Sequence, residues 1–194
     1  MNSVCVYCGS ADQVPDLYLQ AARQMGQTLA RRGLTVVYGG GRTGLMGALA
    51  DGTLECQGQV VGVIIENMNT EALAHSGLTR MEVLGTLHLR KARMYALADG
   101  YVALPGGYGT LDELFETLTW AQIGEHRKPV GLLNVNGYFD LLLAMLDRAE
   151  AEGFIFPEHR RGLLCASDPQ ILLEAMKNHR PSDEAVRRWM RQER

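Results

Sequence analysis

The residues best equipped for chemistry lie in Pro105-Gly106-Gly107-Tyr108-Gly109-Thr110-Leu111-Asp112-Glu113, where a short apolar run over 100–104 ends in glycines and a helical pattern begins. Three glycines within four residues let the backbone turn sharply and bring its N–H groups close to a ligand. The first turn of the following helix offers unpaired donors to an anion, so the stretch is suited to holding a phosphate. Thr110 can add a hydroxyl to that cradle, and Glu113 puts a carboxylate one helical turn away. The same residues admit a purely structural reading. Thr110-Leu111-Asp112-Glu113 fits a capping box, in which Thr110 bonds the N–H of Glu113 and Glu113 reaches back to the N–H of Thr110.

A second glycine run, Gly39-Gly40-Gly41-Arg42-Thr43-Gly44, also follows a strand pattern and precedes a helical one. Its Gly39-x-Gly41-x-x-Gly44 spacing matches the dinucleotide fingerprint, and Glu66 at the end of the next strand lies near where a ribose-binding acid is needed. That keeps a nicotinamide-dependent oxidoreductase as an alternative. Against it, the fingerprint normally follows the first strand of its fold, whereas this run follows the second, and no residues remain for a separate catalytic domain.

The elements that must carry these loops alternate between strand and helix. Strands are expected over 4–8, 34–38, 60–65, 81–84, 100–104 and 129–135. Helices are expected over 15–32, 45–57, 86–98, 110–123, 137–152 and 171–178, and a terminal helix over 182–194. Continuous apolar strands alternating with helices predict an α/β fold, a single Rossmann-like, doubly wound and mostly parallel sheet. We divide the chain into such a domain over 1–180 and a C-terminal helix or tail over 181–194. In the 86–98 helix, Leu87, Arg90, Met94 and Leu97 fall on one side at 3.6-residue spacing, so Arg90 sits in an apolar stripe. A guanidinium there needs a partner, and Glu113 or a bound phosphate is the natural one. Lys91 is expected nearer the rim. On the 110–123 helix, Leu111, Leu114, Phe115, Leu118 and Ala121 form the core stripe, while Glu113, Glu116, Thr117 and Trp120 share a face the fold alone need not bury.

The 194 residues, 46% hydrophobic, suffice for one sizeable α/β core. A net charge of -3 and a pI near 6.0 supply no electrostatic footprint for nucleic acid or an anionic membrane, which favours small-molecule chemistry. The chain shows no signal-peptide pattern and no apolar run of spanning length, so a cytoplasmic protein is expected. Cys5 and Cys8 form a C-x-x-C, but residues three apart on a strand point to opposite faces and no second pair accompanies them. Neither metal nor cofactor is expected.

Taken together, Tyr38-Gly39-Gly40-Gly41, Arg90-Lys91, the 105–113 run and Thr119-Trp120-Ala121-Gln122 resemble the LOG ("Lonely Guy") family of cytokinin riboside 5′-monophosphate phosphoribohydrolases, often mislabelled lysine decarboxylases. The likeness runs from about residue 3 to residue 165. The family's usual Met-His-x-Arg-Lys appears here as Leu87-His88-Leu89-Arg90-Lys91, a conservative departure. The resemblance implies hydrolysis of the N-glycosidic bond of AMP or an N6-substituted adenosine 5′-monophosphate, releasing free base and ribose 5-phosphate. It implies Arg90 and Glu113 as the catalytic pair. It further implies that Glu71, Lys91, Gly106, Gly107, Tyr108, Gly109, Thr110, Leu111, Asp112 and Thr119 contact the nucleotide, in a homodimer with its active site at the interface. A decarboxylase would need pyridoxal phosphate and an active lysine, which nothing here marks. A nucleotide- or cofactor-carrying module remains as the non-enzymatic alternative, although a carrier has no need of Glu113 beside Arg90.

Overall fold

The computed structural model describes residues 1–182, 186, 187 and 190. The terminal helix expected over 182–194 therefore falls largely outside the described residues. Seven strands, β1 (Ser3–Tyr7), β2 (Thr35–Tyr38), β3 (Val60–Ile65), β4 (Arg80–Leu84), β5 (Tyr101–Ala103), β6 (Val130–Leu133) and β7 (Leu163–Ala166), form one sheet in the order β4-β3-β2-β1-β5-β6-β7. Every pairing is parallel.

Helices cover both faces because the strands alternate two apolar sets. Val4, Val6, Val36 and Tyr38 pack with residues of α1 (Asp16–Arg31), α2 (Gly44–Glu55) and α7 (Pro169–Asn178). Cys5, Tyr7, Val37 and Tyr101 pack on the other face with α3 (Leu87–Leu97), α4 (Tyr108–Gln122) and α5 (Asp140–Ala151). Cys5 and Cys8 consequently lie in opposite cores.

The chain leaves β1 toward one edge through β2, β3 and β4, then returns to the other side of β1 as β5. Beyond the carboxyl ends of β1 and β5 the connections part in opposite directions, which in open parallel sheets opens a crevice for ligands. The 105–107 glycines sit there: Gly9 N–H donates to the Pro105 carbonyl across 3.0 Å, and Leu104 N–H donates to the Tyr7 carbonyl across 2.8 Å.

Two expectations are corrected. A seventh strand, β7, and the short α6 (Pro157–Gly162) occupy a stretch to which the sequence pattern assigns no element. Leu163–Ala166 is a four-residue edge strand that directly follows a polar helix, too short for periodicity to register. The active helix α4 begins at Tyr108, not Thr110, with Gly107 at its N-cap.

Candidate active site

The earlier start of α4 removes the capping-box reading. Thr110 lies inside the first turn, buried, and Glu113 lies in the second, too far along to reach back to the cap. Gly107 has no side chain to cap α4, and among the described residues no side chain is bonded to the helix's first N–H groups. The α2 start differs, since Asp12 Oδ1 accepts from Gly44 N–H across 3.0 Å. The chain's own carboxylate thus occupies the anion seat that a dinucleotide would require after Gly39-x-Gly41-x-x-Gly44.

The glycine loop before α4 is held from several sides. Tyr138 donates its hydroxyl proton to the Gly106 carbonyl at 2.7 Å. A Cβ on Gly106 would collide with the Thr110 hydroxyl, so Thr110 is tucked beneath the loop as a support. Positions Gly107 and Gly109 face open space, and Tyr108 is 95% exposed. The outer side of the loop is accordingly free to receive a ligand.

Arg90 crosses from α3 to the carboxyl ends of the central strands. Its Nε donates to the Val63 carbonyl at 2.8 Å and its Nη1 to Glu113 Oε1 at 2.8 Å. The two side chains are only 11% and 8% exposed. Gly39 permits this reach, because any Cβ there would strike Arg90 Nη2. Burial pushes the Glu113 carboxyl above the ordinary carboxylate range, and Arg90 draws it down without cancelling the rise. The proximity of the opposite charge taken alone predicts a lowered carboxyl. Burial prevails because Glu113 is shielded on nearly every side, which makes it a better proton acceptor than a solvated carboxylate.

Lys91, expected at a solvated rim, bridges Asp112 at 3.0 Å and Glu116 at 3.1 Å and is largely covered. Burial draws its ammonium down, but the two carboxylates hold it above its usual value overall. Arg90 and Lys91 thereby fasten α3 to α4 at adjacent positions. Trp120 is also less open than expected: it meets Tyr95 edge-on, with ring centroids 4.7 Å apart.

Sequence reasoning missed a layer behind Glu113. The hydroxyls of Tyr7 and Thr117 lie 3.0 Å apart, and Thr117 Oγ1 also donates to the Glu113 carbonyl at 2.8 Å. With Lys91, Glu113, Glu116 and Trp120 they line a small cavity of about 10 Å³, about the room one water occupies. Tyr7 was findable, being a hydroxyl at the carboxyl end of the central strand.

Arg90, Lys91, Asp112 and Glu113 are thus brought together beside the 106–110 loop. Glu71 and Thr119 are not joined to them. Glu71 lies on a segment folded over the β2 loop, where its carbonyl accepts from Arg42 Nη1 at 2.9 Å. Thr119 follows Glu113 by six residues, about 120° around the helix, and its hydroxyl bonds the Phe115 carbonyl at 2.7 Å. Leu111 packs partly buried against the core, so its contribution to the loop is through the backbone.

A family model described as "Possible lysine decarboxylase" matches residues 46–176. The probable cytokinin riboside 5′-monophosphate phosphoribohydrolase LOGL5 of Oryza sativa subsp. japonica is 46% identical over 178 residues, covering 92% of this chain and 72% of that protein. The cytokinin riboside 5′-monophosphate phosphoribohydrolase LOG7 of Arabidopsis thaliana is 41% identical over 183 residues, covering 94% and 84%. Among solved structures, the molybdenum cofactor binding protein from Rippkaea orientalis has a TM-score of 0.70 at 25% identity, covering 91% of this chain and 95% of that one. The molybdenum cofactor carrier protein of Chlamydomonas reinhardtii, at 19% identity and a TM-score of 0.68, shares the fold. These two structures share the fold, whereas the phosphoribohydrolases match along nearly the whole chain at 41–46% identity, and the chain belongs to the LOG family.

Proposed function

We propose that the protein hydrolyses the N-glycosidic bond of AMP or N6-substituted adenosine 5′-monophosphates, releasing free base and ribose 5-phosphate. The observation that carries this reading is the buried Arg90–Glu113 pair beside an uncapped helix start at the carboxyl ends of the central strands. A 5′-phosphate accepts hydrogen bonds from the N–H groups of Gly107, Tyr108, Gly109 and Thr110, with the dipole of α4 favouring its charge. Lys91 and Asp112 at the rim, with the Leu111 backbone, complete that end of the nucleotide site.

Catalysis is assigned to Glu113 and Arg90. As the bond from ribose C1′ to the purine nitrogen breaks, its electron pair leaves with the base and positive charge develops on the sugar. The Glu113 carboxylate stabilises that charge. Water adds to C1′ and yields a proton to Glu113, whose raised affinity for protons suits it to the task. The departing nitrogen takes a proton from solvent and Glu113 returns the one it accepted to solvent, so the balance is nucleotide plus water to base plus ribose 5-phosphate. Arg90 fixes the carboxylate's orientation through Nη1 while anchored on Val63. A carrier would gain nothing from burying this pair.

We further assign a homodimer with the active site near its interface. Leu87 and Leu89 on α3 and Phe115 on α4 are apolar and exposed, as expected of surfaces that a second copy covers. Thr119 and Glu71 contact the nucleotide in this reading, and Thr119, turned away from Glu113 in its own chain, does so from a second copy. The domain spans 1–180, with 181–194 as an appended tail. Among the described residues no helix is long and apolar enough to cross a membrane, and a cytoplasmic location is the natural setting for a nucleotide substrate. Incubating the protein with AMP and separately with adenosine tests the proposal. Adenine is released from the nucleotide alone, and equal rates on both would remove the phosphate role from the 106–110 loop.

A further inference from the structure

Glu116 has no part in the chemistry assigned so far, yet it stands one helical turn beyond Glu113 on the same face of α4. Its carboxylate pairs with Lys91 Nζ at 3.1 Å, and the same ammonium reaches Asp112 at 3.0 Å. Lys91, Glu113 and Glu116 all line the cavity of about 10 Å³ behind the active carboxylate, so the three side chains face a common gap.

The charges around Glu113 balance. Arg90 and Lys91 come from α3, and Asp112 and Glu116 come from α4. The strands add none, because burial pushes the Cys5 and Cys8 thiols and the Tyr7 and Tyr101 phenols up and keeps them protonated near neutral pH. Tyr95 of α3 is raised in the same way. Burial draws His126 down and keeps it neutral. The Lys128 ammonium is held by the Tyr95 carbonyl at 2.9 Å and the Tyr101 hydroxyl at 3.2 Å. Within this balance the hold on Lys91 is uneven, since the Asp112 side chain is 61% exposed and that of Glu116 only 31%. A carboxylate largely in water is a weak tether, which makes Glu116 the firmer of the two. Without it, the ammonium keeps only Asp112 and its field falls more fully on Glu113.

We propose that Glu116 is a positioning residue for the reaction: by pairing with Lys91 it holds that ammonium's charge off Glu113, which keeps Glu113 a strong enough base to take the proton of the attacking water. The inference rests on the assignment of Glu113 as that base. Charge fixes the sign of its consequences. Glutamine at position 116 leaves a net positive surrounding that favours the ionised carboxylate, so Glu113 gives up its proton at lower pH. Methionine at position 91 leaves a net negative surrounding and does the reverse.

The test is the pH dependence of kcat/KM for AMP, which reports groups of the free enzyme. Wild type is compared with Glu113→Gln, Glu116→Gln, Glu116→Asp and Lys91→Met, each checked by a thermal melt. The substrate's phosphate titrates alike in all of them, so a difference between profiles belongs to the protein. We expect the acid limb to move down by about 0.5–1 pH unit in Glu116→Gln, a modest displacement because Glu116 is partly solvated. It should return close to its wild-type place in Glu116→Asp, which restores the charge, and move up in Lys91→Met whatever that variant does to the height of the profile. A role confined to tying α3 to α4 would lower the melting point and leave the limb where it is. An unmoved limb in folded Glu116→Gln, or limbs moved in the same direction by Glu116→Gln and Lys91→Met, would overturn the inference. Should Glu116→Gln not fold, the direction taken by Lys91→Met decides. An acid limb that survives Glu113→Gln would instead remove the base assignment itself, and this inference with it, whereas a limb that belongs to Glu113 but ignores Glu116 overturns this inference alone.

Discussion

Replacing Glu113 with glutamine removes one negative charge while keeping the side chain's shape. Glutamine retains an acceptor oxygen for Arg90 Nη1, so the contact that ties α4 to α3 survives. Folding should therefore tolerate the change. The sign of the pH dependence follows from burial, which raises the Glu113 carboxyl in the folded protein. Such a group contributes stability that is fully present below its unfolded pKa and is lost as pH rises through the folded pKa. Near neutral pH the variant should thus be no less stable than wild type in a thermal melt. Turnover should behave differently. If the carboxylate stabilises charge on the sugar and accepts a proton from water, its loss should lower the rate of base release by roughly 10²–10⁴. Combining it with Arg90→Ala should cost much less than the product of the two single losses, because the residues act as a unit. The assay is chromatographic quantification of adenine from AMP, run beside the melts. Near wild-type turnover in Glu113→Gln would remove the residue from the mechanism and leave it a structural partner of Arg90.

The same pair makes further predictions. The kcat/KM for AMP should fall as pH drops through the Glu113 pKa, with a midpoint above the ordinary carboxylate range, and Glu113→Gln should flatten that limb in a pH–rate profile. Arg90→Ala leaves a buried carboxylate unpaired, so it should cost about 3–5 kcal/mol, read as a melting point lower by roughly 6–20 °C at the size of this domain. Gly39→Ala places a methyl group against Arg90 Nη2; it should destabilise by about 1–3 kcal/mol through overpacking and reduce turnover without abolishing nucleotide binding, as measured by calorimetry. Light scattering at micromolar concentration should give twice the 21.4 kDa chain mass or a multiple of it, and a monomer would refute the exposed apolar faces of α3 and α4 as an interface.

Much of this arrangement was legible before the structure because it depends on local signals. The apolar runs at Val60–Ile65 and Val130–Leu133 are continuous, as strands buried on both faces must be. Arg90 was conspicuous because a cation inside an apolar stripe demands a partner. What remained hidden depends on contacts between distant segments. Val63 offers Arg90 a carbonyl, which has no signature in residue type. The start of α4 was misplaced by two residues because Thr110 and Glu113 also satisfy a local capping pattern, and only the tight fit of Thr110 under Gly106 decides between them. The Tyr7–Thr117 contact joins residues 110 apart in sequence and follows from placing α4 over β1. Burial outweighing Arg90 at Glu113 likewise required knowing how completely α3, α4 and the strands close around the carboxyl.

The central claim is that water is added across the bond from ribose to base, with the 5′-phosphate retained on the sugar. It is tested most directly by incubating the protein with N6-isopentenyladenosine 5′-monophosphate in ¹⁸O-water and following both products by mass spectrometry. Free N6-isopentenyladenine and ribose 5-phosphate should appear in equal amounts, with one ¹⁸O in the sugar phosphate and none in the base. Release of inorganic phosphate and nucleoside instead, or an unchanged nucleotide under conditions where the protein is folded and binds it, would contradict the account.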